Sequence, residues 1–94
     1  IVALNSDGYN AEFKISVSPN PINQIANIAF TAPESGVFNL TVTTQTGQVL
    51  YTIKTIGDKG NNHISYNASM LSGGSYYFIL EDENGNRTQQ LVIK

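Results

Sequence analysis

The chain of 94 residues contains no cysteine and no tryptophan, and only 13% of its residues are charged. Without cysteine there is no disulfide scaffold, no thiolate metal site and no thiol nucleophile. Without tryptophan the chain lacks the aromatic side chain most useful for a flat sugar-binding platform. Because the charged fraction is about half the usual value, the surface must be built from uncharged polar groups.

Positive charge is also scarce, with five Lys and Arg residues and a net charge of -2. These residues are too scattered to form the dense basic stripe that nucleic acid requires. No apolar run approaches the ~18–20 residues of a membrane-spanning helix. The opening segment, Ile1 to Leu4, lacks the basic flank of a signal peptide, and the chain starts without Met. We therefore expect a C-terminal part of something larger, in which any export signal would lie upstream.

What the chain does contain is amide and hydroxyl side chains, with 11 Asn, 5 Gln, 8 Ser and 8 Thr. A surface rich in these groups is common in secreted β-proteins. A chain of this length forms one domain with one modest core and has little material for a deep substrate cleft.

Alternation of apolar and polar residues with a period of two dominates the sequence, and no helical stripe is evident. Turn residues separate the alternating segments. The pattern predicts seven strands, over 13–18, 25–31, 37–43, 48–56, 63–67, 75–82 and 87–93. It places Val49, Tyr51, Tyr66 and Tyr76 inward, and it predicts one helical turn within 68–74 that tucks Leu71 under the sheet edge.

Seven short strands with frequent turns predict an all-β fold, a seven-stranded antiparallel immunoglobulin-like β-sandwich over residues 13–94. An edge-closed barrel is the alternative architecture. Residues 1–12 read as a linker or a stub of the preceding domain. Tyr9 and Tyr77 are the tyrosines expected to be exposed.

Catalytic constellations are not found in the sequence. His63 is the only histidine, and its place on the polar face of a short strand indicates a solvated residue. The acidic cluster Glu81-Asp82-Glu83 could hold a hard cation such as calcium, but it lacks the spacing of known calcium loops and is more typical of a solvated turn. We predict no enzyme activity, no cofactor and no metal site.

A series of short motifs runs along the sequence from residue 15 to residue 94. The motifs are ISVSPNP (15–21), IAF (28–30), PESG (33–36), LTV (40–42), GQVL (47–50), LSGGSYYF (71–78) and LVIK (91–94). In order and spacing this series resembles the type A C-terminal sorting domain of the type IX (Por) secretion system of Bacteroidota. The resemblance covers roughly Phe13 to Lys94, nearly the whole chain.

The resemblance implies a non-catalytic signal that directs an N-terminal cargo domain through the outer-membrane type IX translocon. It also implies cleavage by a sortase-like cysteine peptidase and exchange for a surface anchor. The cargo would pass through the periplasm to the outer membrane, the cell surface or the medium. The sorting-motif positions carried over are Pro19, Asn20, Pro21, Gly47, Gly74, Tyr76, Leu91, Val92, Ile93 and Lys94.

Two positions depart from the family pattern: Gln90 stands where a Lys is common, and Ser75 where an apolar residue is usual. The glycines and Tyr76 are also explained by backbone and packing needs. The final strand offers an edge that a partner could read by strand addition, and exposed edges also permit a strand-mediated homodimer. The alternative function is a carbohydrate-binding or spacer module of a secreted glycan-active enzyme.

Overall fold

Seven β-strands account for most of the computed structural model, which describes residues 13–94. The predicted linker or stub over 1–12, including Tyr9, lies outside the described residues. The strands are β1 (Lys14–Ser18), β2 (Ile25–Ala32), β3 (Gly36–Thr44), β4 (Val49–Gly57), β5 (Gly60–Asn67), β6 (Ser75–Asp82) and β7 (Arg87–Ile93).

All strand pairs are antiparallel and fall into two sheets, which confirms the all-β prediction. Sheet A has the order β1-β2-β5, and sheet B has the order β4-β3-β6-β7. The alternative of a single closed barrel is therefore wrong. Between residues 13 and 94 there is no helix long and apolar enough to cross a membrane.

The core lies between the two sheets because one face of each strand is apolar. Phe30 of sheet A and Phe38 of sheet B meet with ring centroids 5.2 Å apart. Phe78, Leu40 and Leu80 are fully buried beside them. Burying each such side chain contributes about 1.5–3 kcal/mol, so the alternating pattern is what holds the sheets together.

Strand β5 begins at Gly60, so the prediction of a polar loop up to Asn62 is wrong. The Asn62 side chain accepts a hydrogen bond from the Asp58 amide (2.7 Å) and donates to the Asp58 carbonyl (2.8 Å). This one side chain bonds both polar backbone groups of Asp58 and so closes the turn. Strand β5 therefore begins three residues before its predicted start, and Gly60 pairs with Ala32.

Strand β4 contains a β-bulge that the alternation pattern does not anticipate. Thr43 pairs with Val49 and Val42 pairs with Tyr51, so Leu50 has no partner on β3. The extra residue turns Val49 to the outer face, where it is 59% exposed, and its predicted inward position is wrong. Tyr51 stacks on Tyr66 at 4.7 Å but stays 37% exposed at the sheet edge.

The segment 68–74 forms a turn and not the predicted helical turn. The Leu71 amide donates to the Ala68 carbonyl at 3.0 Å. Leu71 is half-buried and packs against the core, as predicted. Tyr77, expected to be exposed, is half-buried.

Candidate functional site

The antiparallel register gathers four chain segments at one end of the sandwich. Thr44 pairs with Tyr76, and Tyr76 pairs with Val92, so the end of β3 and the start of β6 lie beside the end of β7. We call this the terminal-strand end, formed by residues 18–24, 45–48, 68–74 and 91–94. The opposite hairpin end is formed by residues 33–35, 57–60 and 83–86.

The Pro19-Asn20-Pro21 segment lies against the last strand. The Asn20 side-chain oxygen accepts a hydrogen bond from the Ile93 amide at 3.0 Å. The Ile22 amide donates to the Ile93 carbonyl at 2.7 Å. Both prolines follow cis peptide bonds and are exposed. The segment therefore covers the outer edge of β7 at Ile93, so strand addition by a partner is blocked at that residue.

Lys94 joins the last strand to the 68–74 turn. Its Nζ donates to the Ala68 carbonyl at 2.6 Å and to the Leu71 carbonyl at 2.7 Å. Its backbone amide donates to the Gly74 carbonyl at 2.8 Å, and the Gly74 amide donates to the Lys94 carbonyl at 3.2 Å. Lys94 is thus fixed by both its side chain and its backbone.

Tyr76 is buried beneath the same turn with 7% of its surface exposed, and its hydroxyl donates to the Ser72 carbonyl at 2.6 Å. A buried phenol needs such a partner. Gly47 adopts φ +100 in the β3–β4 turn, a left-handed conformation that favours glycine. Its amide bonds to Thr44 of its own hairpin, so Gly47 shares the end without joining the network around Lys94.

The last strand divides its side chains between the two faces of sheet B. Val92 is fully buried, whereas Leu91 is 42% and Ile93 is 48% exposed. The structure therefore brings Pro19, Asn20 and Pro21 into one assembly with Gly74, Tyr76 and residues 91–94, a convergence that the sequence order does not reveal.

Sequence reasoning missed three residues that complete this assembly. The Gln90 side-chain oxygen accepts a hydrogen bond from the Val17 amide at 2.9 Å and so links β7 to β1. Ala68 is fully buried, and its amide donates to the Gln24 carbonyl at 2.7 Å. Ile22 is 4% exposed. Only Ile22, an apolar residue in a polar segment, carries a usable sequence signal.

The acidic turn at the hairpin end uses its carboxylates for hydrogen bonds to the protein itself. Burial alone would raise the pKa of Asp82, but hydrogen bonds from Asn86, Asn84 and Gly85 outweigh it and lower that pKa. Glu83 accepts a hydrogen bond from the Val37 amide at 3.0 Å. Within the described residues, no group of three or more His, Cys, Asp or Glu side chains could hold a metal ion.

The tyrosines form a groove of about 570 Å³ near the 68–74 turn. Tyr51 and Tyr66 stack on each other, and Tyr66 meets Phe78 edge-on at 6.0 Å. Burial, followed by the nearby Tyr51 and Tyr76 hydroxyls, raises the pKa of Tyr66. Because Tyr51 and Tyr66 pack on each other, each covers part of the other ring, and Tyr51 stays 37% exposed. His63 is exposed.

A family model described as the secretion system C-terminal sorting domain, Por_Secre_tail, matches residues 16–94. The matched range contains every residue of the assembly around the last strand. No curated protein matches the chain.

Proposed function

Because the chain belongs to the family of type IX secretion C-terminal sorting domains, we propose that the secretion machinery reads its folded terminal-strand end. The family is a sorting signal and not a catalytic domain. The chain is thus a signal for export, attached to a cargo protein and recognised by the secretion machinery.

The observation that carries this proposal is the contact between Asn20 and Ile93, two residues 73 positions apart in the chain. Lys94 likewise reaches back 26 positions to Ala68. An unfolded tail would not hold these groups together. The signal is therefore a shape that exists only after the sandwich has folded. Within it, Pro19–Pro21, Gly74, Tyr76 and residues 91–94 are the positions assigned to sorting, and Gly47 shapes the neighbouring turn.

The immediate partners in this proposal are the outer-membrane type IX translocon and a sortase-like cysteine peptidase. Cleavage before β1 would release the sandwich intact, since all strand pairings lie within residues 14–93. The cargo would then exchange this domain for a surface anchor and reside at the outer membrane, on the cell surface or in the medium.

The strand orders β1-β2-β5 and β4-β3-β6-β7 support an immunoglobulin-like assignment for this fold. The fourth strand pairs with the third and not with the fifth, unlike the constant-type arrangement. This pairing adds a fourth strand to sheet B, whose two edge strands are β4 and β7.

Deleting Leu91–Lys94 from the full cargo protein tests the function in a type IX-secreting bacterium. We expect the cargo to be trapped in the periplasm. The deletion also removes the buried Val92, so the point variants Asn20→Ala and Lys94→Met repeat the test with the core complete. Arg87→Met, which also removes one positive charge, is the control. Normal secretion of the deletion variant, or of both Asn20→Ala and Lys94→Met, would overturn the proposal.

The mass of the mature cargo separates this function from the carbohydrate-module alternative. A sorting domain that is cleaved is missing from the surface form, whereas a binding or spacer module is retained. Retention of residues 13–94 together with normal secretion of the deletion variant would favour the alternative.

A further inference from the structure

The two outer faces of the sandwich differ in polarity although each belongs to an antiparallel sheet. Such sheets usually bury one face and present polar residues on the other. Sheet A follows this rule, since the rows Ser16–Ala29–His63 and Ser18–Asn27–Ser65 lie on its outer face. Its outer side chains are mostly small, hydroxyl-bearing or amide-bearing.

The outer face of sheet B changes character along its strands. Toward the hairpin end a row carries charge, with Lys54, Asn39, Glu81 and Arg87 side by side, and only the pair Val37 and Ile56 lies beyond it on this face. The row nearer the terminal-strand end is Val49, Thr43, Tyr77 and Leu91.

Two further apolar residues extend this second row. Ile79 lies next to Tyr77 along the outer side of β6, and Ile93 lies beyond Leu91 on β7. We define the apolar half-face as Val49, Tyr77, Ile79, Leu91 and Ile93.

The apolar half-face leaves a large amount of hydrocarbon in contact with water. Val49 is 59%, Leu91 42% and Ile93 48% exposed. Each square ångström of apolar surface left in water forgoes about 25 cal/mol. Contiguous apolar patches of this kind mark sites of interaction on soluble domains.

We propose that the apolar half-face is a docking surface for an uncharged, apolar protein surface of the type IX secretion machinery. The inference rests on the proposed function. It adds Val49, Tyr77 and Ile79, none of which is among the ten sorting positions carried over from the resemblance, to the surface that the machinery contacts.

Continuity with the last strand identifies this occupant. Leu91 and Ile93 contribute side chains to the half-face, while the Ile93 backbone is held by Asn20 and Ile22. A partner that approaches the terminal-strand end therefore meets the half-face on the same strand. A second copy of the chain on this surface would hide β7 from the machinery, so self-association there would oppose sorting.

The chemistry of the half-face also limits the partner. The half-face contains no Asp, Glu, His, Lys or Arg side chain, and the charged row at Lys54, Glu81 and Arg87 borders it toward the hairpin end. Recognition through the half-face would depend on burial and shape, and it would resist salt because screening weakens only charge-based contacts.

The decisive experiment compares two double variants of the full cargo protein in a type IX-secreting bacterium. Val49→Thr with Tyr77→Thr alters the half-face and leaves the ten carried-over sorting positions unchanged. Ile25→Thr with Ile56→Thr is the control, because both isoleucines are exposed, at 44% and 83%, and lie outside the half-face. Threonine keeps strand propensity in all four positions.

We expect the half-face variant to lower the secreted-to-periplasmic ratio of the cargo by about tenfold, the equivalent of about 1.4 kcal/mol in binding. The control should secrete like the wild type. Binding of the wild-type cargo to isolated outer membranes should persist at about tenfold higher ionic strength. Thermal unfolding of the purified variants verifies that each domain is folded at the secretion temperature.

Equal secretion of the two folded double variants would overturn the docking surface. A wild-type cargo that is dimeric, with a monomeric half-face variant that secretes normally, would overturn it in favour of a second copy. The Leu91–Lys94 deletion is included as a separate arm. Normal secretion of that deletion sinks the sorting function itself, whereas its failure beside normal secretion of the half-face variant sinks only this inference.

Discussion

The two ends of the sandwich are closed in different ways. At the hairpin end, Asp58 bonds to Asn62 and Asp82 bonds to Asn86, and each pair is four residues apart. At the terminal-strand end, the bond from Ile93 to Asn20 spans 73 residues. Local hydrogen bonds form within a single turn, whereas the long-range bonds exist only when both sheets are assembled.

This difference is consistent with the proposed recognition of the folded domain at its last residues. The hairpin end depends mainly on bonds within individual turns, with one longer bond from the Val37 amide to Glu83 inside sheet B. The terminal-strand end depends on β1, the 68–74 turn and β7 being in their final positions together. Only then does Ile93 bond to Asn20 and Lys94 to Ala68. A receptor that contacts this end would select sorting domains that are completely folded.

Replacing Lys94 with Met should produce the largest loss, because its ammonium holds two main-chain carbonyls of the 68–74 turn. Hydrogen bonds to charged groups contribute about 1.5–3 kcal/mol, so we expect the free energy of unfolding to fall by about 2–3 kcal/mol in urea titration. Arg87→Met removes the same charge from the other end of β7 and should cost less than about 0.5 kcal/mol. Equal losses would show that Lys94 acts only through net charge.

Gly57→Ala tests whether the hairpin end tolerates an added side-chain carbon without loss of stability. A Cβ at Gly57 would lie 2.8 Å from Phe38 Cε2 and 3.2 Å from Phe30 Cζ. Overpacking of this kind costs about 1–3 kcal/mol, so we expect a loss of about 2 kcal/mol in the same titration.

Gly73→Ala at the terminal-strand end is the matched control for Gly57→Ala. Its added Cβ would have Lys94 O as its nearest neighbour at 3.6 Å, an ordinary contact. We expect a change within about 0.5 kcal/mol. A larger effect at Gly73 than at Gly57 would contradict the packing of the core against the β4–β5 turn.

Much of this fold could be predicted because its strands follow local rules. The bounds of β6 and β7 agree with the alternation pattern and with the Asn84-Gly85 turn between them. The errors at β5 and β4 arise where one side chain or one extra residue overrides alternation. Asn62 closes a turn that would otherwise remain a loop, and the bulge at Leu50 reverses the orientation of Val49.

The candidate site was less predictable, because its geometry depends on contacts between distant segments. The resemblance identifies Asn20 and Lys94 as sorting positions, but it does not indicate that both fix the end of β7. Gln90, which departs from the family pattern, bonds the Val17 amide, a role that no local pattern indicates. Spacing along the chain carries no information about such tertiary hydrogen bonds.

Asn20→Ala removes the acceptor for the Ile93 amide and should lower stability by about 1–1.5 kcal/mol, with faster hydrogen exchange at Ile93. Glu83→Ala removes a comparable side-chain acceptor from the Val37 amide at the hairpin end. Both bonds are exposed to solvent, but Glu83 follows β6, which is already paired with β3, so we expect a loss of only about 0.5 kcal/mol. If hydrogen exchange at the Ile93 amide is unchanged in Asn20→Ala, the bond between these two residues does not hold the terminal-strand end closed.

The smallest expected effect is a difference between the two ends in how stability depends on pH. The pKa of Asp82 is lower in the folded chain than its ordinary value because Asn86, Asn84 and Gly85 donate hydrogen bonds that outweigh burial. A lowered folded pKa stabilises the protein above the unfolded value of about 3.9, and this contribution disappears as pH falls through the folded pKa.

Stability measured from neutral pH down to about pH 2 should therefore fall less steeply in Asp82→Asn than in the wild type, with the two curves converging at the acid end. Asn20→Ala should instead stay below the wild type by the same amount across this range, since the amide of Asn20 does not ionise. A pH-independent difference for Asp82→Asn would mean that the carboxylate charge contributes nothing to the hairpin end. That end would then be held by its backbone turn alone.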